Sequence, residues 1–140
     1  MPSAKSKAIN CFGLLARDNR FHFKTTTSNI TSSFIFEYLE QLSFTLKKMT
    51  VVVLDNASVH TAKLIQDRRH VWEQRGLTLF YLPKHSPQLN IIEILWRMLK
   101  YLWLKPSDYA DEQTLFYQVT LALAAVGSSL SINFSNFALV

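Results

Sequence analysis

The amino-acid sequence predicts an α/β domain, and three observations carry that expectation. Two short apolar runs, MTVVVLD and LTLFYLP, have the length and composition of strands. The segment between them has helical periodicity, and strand, helix, strand is the order of a parallel pair with a crossover helix. The 140 residues are 49% hydrophobic and 18% charged, with no low-complexity tract, which suits one domain with a real core. One core is therefore the working expectation.

The elements follow in order. AINCFGLLA and FHFKTTT flank the turn-like RDNR, which predicts an antiparallel hairpin. Across residues 29–48 the apolar Phe34, Ile35, Tyr38, Leu39, Leu42 and Leu46 recur at three- and four-residue intervals, the spacing of an amphipathic helix. Lys47 and Lys48 suit its negative end. MTVVVLD reads as a strand apolar enough to be buried on both faces. Residues 62–75 put Leu64, Ile65, Val71 and Trp72 on one helical face, with Gly76 as the stop. LTLFYLP is a second buried strand, and the loop PKHSPQLN follows it. A helix over 91–104 ends ahead of Pro106, and a last helix over 111–126 carries Leu115, Val119, Ala122 and Val126 along one stripe. Trp72, Trp96 and Trp103 are expected in the core.

The net charge of +5 and the pI near 9.5 suit a polyanionic partner, although such an excess is also common on proteins that never touch one. The single cysteine, Cys11, excludes an internal disulfide framework, and MPSAKSKAIN lacks the apolar core of a signal peptide; a cytoplasmic setting is expected. LFYQVTLALAAVG is shorter than the roughly 20 residues that cross a bilayer, so no membrane segment is expected. Cys11, His22, His70 and His85 lack zinc-ligand spacing.

Two acids stand out. Asp55 closes the run VVVLD, and a carboxylate at the end of an apolar strand must be solvated, paired or bound to a metal. Ligand sites in α/β sheets gather at the carboxyl ends of strands, where Asp55 falls. Glu93 follows Asn90 by three positions, which predicts a capping box, but its helix leaves the second strand, so Glu93 could also approach the same sheet edge as Asp55. Ser58, His60 and Asp55 lie too close along one strand-to-helix turn to form a hydrolase triad.

LDNASVHTA followed by LPKHSPQLNIIEILWRMLK resembles the DDE endonuclease domain of bacterial insertion-sequence transposases in the mariner superfamily. That pattern has Asp-Asn-Ala with a nearby His, then Leu-Pro-x-x-Ser-Pro-x-Leu-Asn-Pro-Ile-Glu-x-x-Trp and a Lys shortly after. Both blocks occur in order, and 38 positions separate Asp55 from Glu93, a compatible spacing. KAINCFGLL also resembles the family's second strand. Ile91 stands where the family usually has Pro, which loses a preset first helical turn but leaves Glu93 in register.

The resemblance implies a ribonuclease H-like mixed sheet flanked by helices. It also implies metal-assisted cleavage and joining of DNA strands, in which three acids hold two Mg²⁺ or Mn²⁺ ions. By the match, Asp55 is the second acid and Glu93 the third, each a catalytic and metal-binding residue. Asn56, His60, Lys84, His85, Arg97 and Lys100 are the candidate DNA-binding residues; His60 could instead steady Asp55 or cap a helix, and solvated surface is the ordinary alternative for the lysines and Arg97. The first acid is expected on a strand upstream of KAINCFGLL and is missing, as is a DNA-reading helix-turn-helix region; Asp18 reads more simply as a turn residue.

The expected organisation is a basic segment over 1–7, a partial ribonuclease H-like domain over 8–127 lacking its first, central strand, and a tail over 128–140. The expected function is a portion of a transposase catalytic domain, inactive alone, with weak metal binding. The alternative is a non-enzymatic remnant acting as a DNA-binding or interaction module. Expected partners are DNA at transposon ends and target, and an upstream transposase fragment or further copies of the chain. Loss of the central strand would leave open strand edges, favouring oligomers, poor solubility or a rearrangement that joins the edges.

Overall fold

A computed structural model describes residues 9–134 of the chain. In chain order the elements are β1 (Asn10–Leu15), β2 (Phe21–Thr26), α1 (Ser32–Thr45), β3 (Thr50–Leu54), α2 (Ser58–Thr61), α3 (Lys63–Gln74), β4 (Leu77–Tyr81), α4 (Ile92–Met98) and α5 (Glu112–Ala124). The expected α/β order is present. The chain divides into two compact units rather than gathering round one core: a flanking unit, residues 1–29 with 91–140, and a central unit, residues 30–90. The basic segment 1–7 and residues 135–140 of the expected tail lie outside the described residues.

In the flanking unit β1 and β2 pair antiparallel from Asn10↔Thr26 to Leu15↔Phe21, as RDNR predicts. The turn closes through the Ala16 N–H, which donates to the Arg20 carbonyl at 2.9 Å. Asp18 accepts from the Arg20 backbone N–H at 3.1 Å and from its Nε at 2.8 Å, and these bonds hold its carboxyl below the ordinary range. Asp18 is a turn residue. Asn19 sits beside it with φ +69°, a left-handed position that Asn tolerates.

Asn19 also reaches residues far along the chain. Its Nδ2 donates to the Ile132 carbonyl at 3.0 Å and its Oδ1 accepts from the Ile132 N–H at 2.7 Å, so one side-chain amide pairs with a peptide as a neighbouring strand would. Ile132 and Phe134 thereby join a buried cluster with Ile94, Leu95, Leu99, Leu115, Val119 and Leu123. Gly127 completes the approach: φ is +89°, and a Cβ there would stand 2.7 Å from the Asn19 carbonyl oxygen.

The single helix expected over 91–104 changes its winding part-way. After α4, Leu99–Trp103 is a π-helical segment, closed by the Leu104 N–H donating to the Leu99 carbonyl at 3.0 Å. Leu99 remains buried while Tyr101 and Leu102 are exposed. Asp111 caps α5, accepting from the Thr114 N–H at 2.7 Å, and Leu115, Val119 and Leu123 form its buried stripe.

In the central unit β3 and β4 pair parallel, from Thr50↔Leu77 to Leu54↔Tyr81, with α3 as the crossover. Gly76 ends that helix at φ +94°, and its carbonyl accepts from Thr50 N–H at 2.7 Å, so the helix stop is also the first rung of the sheet. The expectation that these strands are buried on both faces does not hold. Val52, Leu54, Leu77 and Leu79 are buried, whereas Val51, Val53 and Phe80 are exposed, because the helices of this unit cover one face only. Among the described residues the strands form two two-stranded sheets, β1 with β2 and β3 with β4.

Helix α1 starts at Thr31, whose side chain accepts from Phe34 N–H at 3.2 Å, and stops at Thr45; the two lysines expected in its last turn lie beyond it. Ile35 and Leu39 on α1 and Ile65 and Trp72 on α3 have no exposed surface, each burial stabilising the unit by roughly 1.5–3 kcal/mol. Leu64 is exposed instead of sharing that face, since it is one helical step, about 100°, from Ile65. The two helices are also tied by charge. Glu40 accepts from Arg68 Nε and Nη2 at 3.0 and 2.9 Å and from Trp72 Nε1 at 2.9 Å, with Arg75 Nη1 at 3.3 Å. The Arg68 fork first, then the indole N–H, holds the Glu40 carboxyl down to about 2.

Candidate active site

Asp55 follows β3 directly. Because β3 and β4 are parallel, the loop 82–90 leaves β4 at the sheet end where Asp55 leaves β3, and the Leu82 N–H still donates to the Leu54 carbonyl at 2.8 Å. The carboxylate is about a third exposed (36%) and is oriented on one side. Its Oδ1 accepts from the Ala57 N–H at 3.1 Å and from His60 Nδ1 at 2.7 Å. Of the roles open to His60, the geometry realises the support of Asp55: the short α2 turns the imidazole back onto the carboxylate.

Asn56 is half-buried beside that pair. Lys84 and His85 are exposed on the loop after β4, His85 with φ +60°, a costly conformation for a side chain of its size. Glu93, Arg97 and Lys100 belong to the flanking unit, whereas Asp55, Asn56, His60, Lys84 and His85 belong to the central one. Glu93 is half-buried in the first turn of α4. The N-cap of that helix is Ile91, with no side-chain cap hydrogen bond, so the start expected at Asn90 is displaced by one residue. Arg97 is exposed in the last turn of α4, and Lys100 is exposed on the π-helical segment with its Nζ 5.6 Å from the Tyr101 ring centroid.

Sequence reasoning missed the residues behind His60. Tyr81, the last residue of β4, donates its hydroxyl to the His60 carbonyl at 2.6 Å and accepts from Gln66 Nε2 at 2.8 Å. The available signal was positional: a residue with a hydroxyl closes β4 opposite Leu54, one step before Asp55. Burial pushes the Cys11 thiol up to about 11, which disfavours the thiolate form.

The family model for the DDE superfamily endonuclease matches residues 1–116. The chain belongs to the DDE superfamily endonucleases. No curated protein and no solved structure matches it. Endonucleases of this superfamily act on DNA, generally with divalent metal ions, and membership implies a ribonuclease H-like fold. Among the described residues no three His, Cys, Asp or Glu side chains come together, and Asp55 has one oxygen committed to His60 and Ala57. Asp55 alone does not make a metal site. No described helix is long and apolar enough to cross a membrane.

Proposed function

We propose that the chain supplies part of the catalytic domain of a mariner-type, insertion-sequence transposase, with Asp55 and Glu93 as two of its metal-binding carboxylates. What supports this most is the placement of Asp55: a partly exposed carboxylate, oriented by His60 at the carboxyl end of a parallel strand, in a chain of a DNA-cleaving superfamily. In this reading Asp55 is the second acid and Glu93 the third, and a separate segment brings the first on a strand of its own. Among the described residues β3 pairs with β4 alone, and its other edge suits the arrival of such a strand. With two carboxylates, Mg²⁺ or Mn²⁺ binds weakly and as one ion at most. Asn56, Lys84, His85, Arg97 and Lys100 contact DNA, and His60 acts on Asp55.

Plasmid nicking by the purified chain, with and without a polypeptide carrying an Asp-bearing strand, tests the proposal. The expected result is no nicking by the chain alone and metal-dependent nicking on supplementation, abolished by Asp55→Ala or Glu93→Ala and unchanged by Asp18→Ala. Robust nicking by the chain alone that survives Asp55→Ala would refute it. The second reading, a DNA-binding module without chemistry, draws on the exposed Lys84, His85, Arg97 and Lys100 and on the lack of a three-donor group among the described residues. It is the outcome if DNA is retained but never cut, even on supplementation.

A further inference from the structure

We infer that Tyr81, Gln66 and Arg69 are positioning residues for Asp55, acting through His60. The inference rests on the reading of Asp55 as a carboxylate of the reaction site. The hydrogen bonds behind His60 can run in only one direction. A guanidinium donates and never accepts, so Gln66 presents its Oε1 to Arg69 Nη1, at 3.0 Å, and its Nε2 must then donate to the Tyr81 hydroxyl, at 2.8 Å. With its oxygen accepting from Gln66, Tyr81 directs its own proton to the His60 carbonyl, at 2.6 Å. Arg69 is itself anchored to β4, donating from Nη2 to the Leu79 carbonyl at 3.0 Å, with its guanidinium carbon 5.3 Å from the Tyr81 ring centroid.

These bonds matter because α2 cannot hold its own shape. It has four residues and no side-chain cap, far below the length at which a helix is stable unaided. Strand β4 and helix α3 hold it by the peptide of His60, the residue whose ring faces Asp55. The ring nitrogen Nδ1 meets two acceptors, Asp55 Oδ1 at 2.7 Å and the Asp55 carbonyl at 3.2 Å, and therefore carries the proton. One guanidinium thus sets the polarity of a relay that fixes the peptide of His60, and the imidazole on that peptide fixes one oxygen of the carboxylate.

The test uses the full chain and two variants. Tyr81→Phe keeps the ring and deletes the donor. Gln66→Glu keeps the partner of Arg69 but replaces a donor by an acceptor, so the Tyr81 proton turns away from His60. The readout is the tautomer of His60 in ¹⁵N spectra of histidine-labelled protein, recorded above the ordinary imidazole titration range. The wild-type ring should show a single tautomer protonated on Nδ1, and both variants should lose it to a mixture while amide spectra of α1 and β3 stay in place. If Tyr81→Phe unfolds the unit, Gln66→Glu decides alone, since it retains the packing and the arginine pair. In supplemented nicking assays both variants should slow cleavage about 10- to 100-fold, the usual cost of disturbing a group behind a ligand. An unchanged tautomer in a folded variant overturns the inference, as does a lost tautomer with undiminished nicking. A tautomer that responds in a wild-type background that never nicks leaves the positioning role standing and refutes the proposed reaction instead.

Discussion

The flanking unit is held by an apolar cluster, Ile94 to Phe134, with one side-chain amide, Asn19, clasping a distant peptide. The central unit instead builds its largest buried side chain into a charged clamp: Trp72 gives its indole N–H to Glu40, which two arginines also engage. The difference is one of failure modes. An apolar cluster loses stability in proportion to what is cut away. A clamp whose partners satisfy one another leaves an uncompensated charge when any one of them goes. The central unit also carries Asp55 and the relay behind it, so the polar clamp and the polar site share helix α3.

The largest expected effect follows from that sharing. Trp72→Ala removes a fully buried ring and one donor to Glu40, and should destabilise the central unit by about 3–5 kcal/mol. Hydrogen exchange should then lose protection at residues 50–54 and 77–81 while 10–15 keep theirs; equal loss in both regions would break the comparison. Glu40→Gln should have a smaller effect with a pH signature. The folded Glu40 carboxyl lies near 2, below its ordinary 4.5, so its stabilisation is present above about 4.5 and is lost as pH falls toward 2. Urea midpoints of the wild type should fall across that window, and those of Glu40→Gln should fall less.

In the flanking unit the expected losses are more modest. Gly127→Ala puts a Cβ against the Asn19 carbonyl at a left-handed position, and should cost about 1–3 kcal/mol. Asn19→Ala leaves the Ile132 peptide without its two bonds, a loss of about 1–3 kcal/mol. Chemical denaturation followed at Trp96 reads both, and protection of the Ile132 amide in Asn19→Ala would show that the clasp is dispensable. The smallest effect belongs to Asp18→Ala: the carboxylate is exposed and, among the described residues, its ion pair is with Arg20, so the unfolding midpoint should not move measurably.

Periodicity and turn chemistry made most elements legible. RDNR gave the hairpin, Gly76 the end of α3, and the paired apolar runs the parallel strands. Contacts distant in sequence were not legible. Nothing local to Asn19 announces Ile132, more than a hundred positions away, and nothing in VVVLD tells that the helices of its unit cover only one face. The widening of the helix after Met98 was hidden because apolar spacing around 91–104 is similar for either winding. At the site, Asp55 was legible from its place after an apolar strand, and His60 only as one of several roles. Tyr81, Gln66 and Arg69 were illegible because a relay across one strand and two helices is defined by direction of donation, which sequence does not encode locally.

The central proposal is that Asp55 and Glu93 are two carboxylates of one reaction site. Paramagnetic broadening tests it directly. Mn²⁺ is titrated into the chain supplemented with the Asp-bearing strand, with the side-chain carboxyl carbons of Asp and Glu labelled. Two acids of one site, serving ions about 3.5–4 Å apart, should broaden together at the same low metal concentration, ahead of Asp18 and Glu40. Broadening of Asp55 without Glu93, or of neither before Asp18, would contradict the account.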